Sequence, residues 1–202
     1  MIPHPDWTVV YSRLKTRIES AGICVRRQKL GPNTTGVFDG ASITTNSECD
    51  RATQCHNIAH ALGHIVQWSL DEPRWQALYD ELYAAKDRKQ SDPARLERAL
   101  DAFRGYEEDA SAYAAGLLIE TRNEHVLPTF TLFARADIEA IVSYHRDGVA
   151  PVWNEFFEDY QARARHGEFE VRDFVPEFIP PFTPRPIAPQ EVIQATRRDT
   201  AA

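Results

Sequence analysis

The 202-residue chain carries 23 lysines and arginines against 30 aspartates and glutamates, a formal charge of −7, with 43% apolar and 26% charged residues. Such a balance describes a globular chain long enough to bury a sizeable core, and it speaks against a nucleic-acid binder, because no basic block offsets the acidic excess. No stretch approaches the ~18 apolar residues of a membrane span, and Met1–Asp6 has neither a basic nor an apolar region, so no secretory signal is expected.

The chain opens with an amphipathic helix over 7–21, in which Val10, Leu14, Ile18 and Ala21 recur at helical spacing before Gly22. Ile23 to Leu30 reads as a strand, and its Arg26, Arg27 and Lys29 read as a solvated strand edge. After the turn residues Gly31-Pro32-Asn33, two short strands are expected at Gly36–Gly40 and Ala41–Thr45, joined tightly. A strong helix follows over 50–70, with Ser47 or Asp50 as its cap. The next helix starts at Pro73 and runs to about Lys89. A third starts at Pro93, behind the capping residue Asp92, and runs to about Thr121. Two more are expected at about 129–146 and 150–164. From Phe174 to Pro189 prolines alternate with phenylalanines, which predicts an extended strap laid on the domain surface; the last ten or so residues read as disordered. Cys24, Cys49 and Cys55 are an odd number without a framework, so reduced thiols in a cytoplasm are expected. The spacing from Cys49 to Cys55 is not that of a zinc knuckle.

The chemistry concentrates in His60-Ala61-Leu62-Gly63-His64. Residues four apart on a helix lie about 40° apart around its axis, so both imidazoles leave one face and can share one ion. In H-E-x-x-H enzymes the second position is a glutamate that activates water on zinc; here it is Ala61, whose methyl group cannot take a proton. His56 is one turn earlier and would strain to join the pair, so it is expected above the site, in a supporting or substrate-facing position. Gly63 costs helix stability, and a close approach by another backbone is a reason to keep it. A third ligand is sought in the 93–121 helix. There Ala110, Tyr113, Ala114 and Leu117 define a small-residue face that Glu107 shares. A carboxylate buried on that face needs a cationic partner, which makes Glu107 the first choice and Glu108 the second.

The order of elements and these motifs resemble the ImmA/IrrE-type zinc metallopeptidase domains. Those have a helix, a small β-meander, an H-E-x-x-H helix and a later helix of the pattern E-x-x-A-x-x-F-A-x-x-L-L. The counterparts here are Gly36–Thr45, His60–His64, and Glu107, Ala110, Tyr113, Ala114, Leu117 and Leu118. The Ile179–Pro184 stretch is also similar to the tails of bacterial proteins whose histidine helix lacks the glutamate. The resemblance implies a mostly helical α+β fold, with a small antiparallel meander on a zincin-like core. It implies a metallopeptidase-type domain over 1–125, a helical extension of it over 126–172 and a Pro-rich tail over 173–202. It implies Zn2+ held by His60, His64 and Glu107. The activity implied is zinc-assisted hydrolysis of a polypeptide, with a substitute base drawn from Glu108, Asp109, His56 or a residue of the C-terminal helices, such as His145. The alternative is a catalytically inactive module that binds metal or peptide, with a polypeptide partner and neither nucleic acid nor membrane. An introduced Glu→Ala change at position 61, made to trap substrate, would leave the same sequence.

Overall fold

The computed structural model describes residues 5–31, 34–86, 92–149, 151–168 and 174–187. Helix α1 (Trp7–Ser20) starts at Asp6, whose carboxylate accepts from the Thr8 and Val9 amides, and it buries Val10, Leu14 and Ile18. Three short strands follow: β1 (Cys24–Gln28), β2 (Gly36–Phe38) and β3 (Ser42–Asn46). Helix α2 (Arg51–Leu70) is capped by Asp50 accepting from the Thr53 amide. It is buried on almost every side, as expected of a helix whose apolar residues are not confined to one stripe. Around it lie α1, the sheet and the 28-residue α4 (Pro93–Glu120), and α3 (Glu72–Ala85) bridges between α2 and α4. Asp92 caps α4 by accepting from the Ala94 amide, with Pro93 in its first turn. Helix α5 (Leu127–Asp147) returns along α4 and stops at Gly148, whose φ of +71° is the left-handed conformation that glycine adopts without cost. Helix α6 (Trp153–Arg165) packs on α5. The architecture is therefore the expected mostly helical α+β class. The far end of the helix expected to reach Lys89 falls outside the described residues, as do the terminal residues expected to be disordered.

The sheet corrects one expectation. It is mixed, in the order β1-β3-β2, and not an antiparallel meander. β2 and β3 form the expected tight hairpin, with Gly36 opposite Thr45 and Phe38 opposite Ile43. β1 runs parallel to β3, from Cys24 beside Ser42 to Gln28 beside Asn46. The reason is burial. All five β3 residues are buried, which demands a neighbour on each side, whereas β1 buries only Val25. The chain therefore carries past β3's place to lay down β2 before turning back between the two. Arg26, Arg27 and Lys29 lie exposed at the β1 edge, as their composition predicts.

Residues 174–187 form the expected strap. Phe174 is buried against Phe130, beneath the Arg135 guanidinium. The Glu177 amide donates to Ala112 O at 3.0 Å, the Arg185 amide to Ser69 Oγ at 3.3 Å, and the Ile187 amide to Asp39 O at 2.8 Å. The strap thus ties α4, the end of α2 and the β2–β3 turn together. Not every aromatic is spent on this docking: Phe178 stays 75% exposed.

Candidate metal centre

Two helices build the site. Antiparallel packing of α2 on α4 places His60, Gly63, His64 and Gln67 opposite Ser111, Ala110, Glu107 and Tyr106. The close approach depends on Gly63. A Cβ there would lie 2.2 Å from Ala110 O and 2.9 Å from Ala110 Cα, so no larger residue fits without moving the α4 backbone. This is the close contact that a glycine inside a helix suggests.

Across this contact three donor atoms converge. His60 Nε2 lies 3.2 Å from Glu107 Oε2, His64 Nε2 lies 3.1 Å from the same oxygen, and the two Nε2 atoms are 3.0 Å apart. Glu107 is 3% exposed, and the His60 and His64 side chains are nearly as well buried, at 10% and 12%. His60, His64 and Glu107 form a buried cluster able to hold a metal ion.

The hydrogen bonds behind the imidazoles set their tautomers. Ser111 Oγ donates to Glu107 O at 3.0 Å, so at 3.3 Å it accepts the proton on His60 Nδ1. Gln67 Nε2 donates to Tyr106 O at 2.7 Å, which turns its Oε1 to accept from His64 Nδ1 at 3.1 Å. With both protons on Nδ1, both Nε2 lone pairs point at the carboxylate oxygen. Three lone pairs at this separation repel unless positive charge lies among them, supplied by a metal ion or, without one, by a proton that an imidazole Nε2 donates to Glu107; metal-ligating histidines are commonly anchored through the other ring nitrogen in this way. His64 is further held between rings: Phe38 of β2 stacks on it at 5.6 Å and Tyr106 at 5.8 Å. Burial disfavours charge on both His64 and Glu107. Their mutual attraction and hydrogen bonding prevail, raising the His64 pKa above its ordinary value and holding Glu107 well below the usual carboxylate range.

The remaining expected site residues lie elsewhere. Glu108 pairs with Arg135 and Asp109 with Arg74 at 2.7 Å, so neither side chain joins the cluster. His56 is not above the site. It is buried among Trp7, Phe130 and Phe133, with its Nε2 at 3.3 Å from Thr129 Oγ1. Burial lowers its pKa to about 4, leaving a neutral core histidine, because α1 and α5 close over that turn of α2. His145 packs edge-on against Phe103 and is likewise lowered to about 4, chiefly by burial. Ala61 is 5% exposed and belongs to the apolar core. Burial pushes the Cys55 thiol up to about 12, and among the described residues no cysteine joins a metal-capable cluster.

Sequence reading missed the residues that orient the ligands. Ser111 is four residues after Glu107 and Gln67 three after His64, so helical spacing alone could have found both. It also missed Asp137 on α5, which falls in the apolar stripe of Phe130, Phe133, Ala134, Ile138 and Ile141. An acid in such a stripe is a signal in itself.

Comparison with protein-family models, curated proteins and solved structures gives no match. Among the described residues, no helix is long and apolar enough to cross a membrane.

Proposed function

We propose that this chain is a zinc protein of the zincin type, related to the ImmA/IrrE metallopeptidases, whose site hydrolyses an amide bond of a polypeptide. The observation that carries the reading is the buried His60–His64–Glu107 triangle, with both Nδ1 protons tied back. Zinc held at about 2.0–2.2 Å by nitrogen and oxygen in tetrahedral geometry spaces its ligand atoms about 3.3 Å apart. The edges here are 3.0–3.2 Å. Two imidazoles and one carboxylate also match the His2Glu set that leaves one position open for catalysis. Zinc in that place would polarise a carbonyl and lower the pKa of its bound water. The chain's own contribution is to hold the three ligands, keep their tautomers and exclude bulk water from the Glu107 side. The free edge of β2 lies beside the site, since Phe38 stacks on His64, and an extended peptide can add to such an edge as a further strand.

One observation favours a second reading, a metal-bearing module that binds peptide without cleaving it. Position 61 is not merely uncharged but packed into the apolar core, so nothing at that position can serve as base. The first test is elemental analysis of protein purified without an affinity-metal step, together with His60→Ala. About one zinc per chain, lost in the variant, supports the metal reading. No metal in either protein refutes it.

A further inference from the structure

Position 61 lacks a carboxylate, and Glu108, Asp109, His56 and His145 are all committed elsewhere. Among the described residues one further acid, Asp137 of α5, lies at the level of the metal triangle, and the register of α5 on α2 puts it on the face toward it. Along α4 and α5, arginine–carboxylate rungs join Arg104 to Glu139 at 3.0 Å and Glu108 to Arg135. These rungs set the height of α5 on α4, so Glu107 and Asp137 lie at one level; around α5, Asp137 is about 200° from Arg135 and so sits on the side away from the rungs. Along α2 and α5, which run in the same direction, His56 packs on Phe133 at 5.2 Å. One turn further on α2 is His60, and one turn further on α5 is Asp137.

The side chain of Asp137 is held in position. Trp153 Nε1, at the start of α6, donates to its Oδ1 at 3.1 Å. Its Oδ2 has no hydrogen-bond partner among the described residues. Asp137 is half-buried rather than sealed in the core. Burial raises its pKa, and the charges of His60, Glu107 and His64 also act on it.

We propose that Asp137 is the proton acceptor of this site, serving from α5 in place of the glutamate that H-E-x-x-H enzymes carry on the metal helix. The inference rests on the zinc hydrolase reading above. Asp137 Oδ2 takes a proton from the attacking water as the water oxygen bonds to the substrate carbonyl carbon. The same proton then passes to the leaving amine nitrogen as the C–N bond breaks, so one water is consumed and a carboxyl and an amine are released. Trp153 is the positioning residue, since it fixes Oδ1 and leaves Oδ2 for the proton.

Asp137→Asn tests this, because asparagine still offers Trp153 an acceptor; Asp137→Glu retains the carboxylate. Two readouts are needed. The first is Co2+ affinity by chelator competition, with the visible spectrum of the cobalt protein. A carboxylate facing the ion predicts roughly tenfold weaker cobalt binding and an altered spectrum in Asp137→Asn. The second is cleavage of a mixture of unstructured synthetic peptides by the zinc-loaded proteins, read by mass spectrometry. Loss of a base predicts a fall of about 10²–10⁴-fold in Asp137→Asn, with Asp137→Glu retaining measurable cleavage. An unchanged cobalt affinity and spectrum would remove Asp137 from the site whatever the cleavage shows. Cleavage by Asp137→Asn at the parent rate overturns the base role, as does weakened cobalt binding without cleavage of any peptide by the parent protein. If the parent protein binds no cobalt, the metal reading itself fails and this inference falls with it.

Discussion

Gly63→Ala sets two effects of opposite sign against each other. Alanine in a helix interior is favoured over glycine by about 1 kcal/mol. Against this, the new methyl would lie 2.2 Å from Ala110 O, about 1 Å short of the 3.4 Å at which ordinary contact begins. The obstacle is backbone rather than a side chain that can rotate away, so α2 and α4 must part. Overpacking of this kind costs about 1–3 kcal/mol, and the upper end applies where a helix backbone has to move. The net loss is about 1–2 kcal/mol, which for a chain of this length lowers Tm by roughly 2–8 °C. The effect on metal is larger, because ligand geometry tolerates only about 0.2 Å. His60 and His64 sit on the helix that moves and Glu107 on the one it leaves, so zinc affinity is expected to fall by about 100-fold. Calorimetry of the metal-free protein and chelator competition measure the two effects separately. A variant at least as stable as the parent, with undiminished zinc affinity, would refute the argument that this contact sets the site.

The orienting residues come next. Ser111→Ala and Gln67→Ala each release one imidazole, and each is expected to weaken zinc binding by about 10–100-fold in a competition titration. Each also removes a buried bond to an α4 carbonyl, Gln67→Ala that to Tyr106 O and Ser111→Ala that to Glu107 O, so each should lower the stability of the metal-free protein by about 1 kcal/mol. A pH dependence follows from the His64–Glu107 pair in the metal-free protein. The His64 pKa is raised from 6.5, so its contribution is complete below that value and lost as pH rises through the folded value. The Glu107 pKa is lowered from 4.5, so its contribution is present above that value and lost in stronger acid. Urea unfolding of the parent and His64→Gln proteins should therefore differ most between about pH 4.5 and 6.5 and converge as pH rises through the raised His64 value. A difference that grows above neutrality would contradict the pairing.

The three residues of the metal-capable cluster are local in pattern, and the sequence alone singles them out. Two histidines four apart on one helix, and a glutamate on the small-residue face of another, are read from a period of 3.6, and so are the helices themselves with their caps Asp6, Asp50 and Asp92. Gly63 announced a close contact for the same reason, since its cost within a helix is local. The order of strands is not local. β3 takes the centre because it is buried throughout, and only the packed structure shows that this makes β1 its parallel neighbour. Nor do sequence neighbours decide which titratable groups serve the site. His56 lies on the helix of His60 and His64 yet is closed in by Trp7 and Phe133, whereas Asp137, 73 residues beyond His64 in number, is brought to the level of the triangle by the packing of α5 on α2 and α4. Spacing along one helix specifies which side chains share a face. What that face meets, and hence which groups stay neutral, pair or face an ion, is decided when burial brings the helices together.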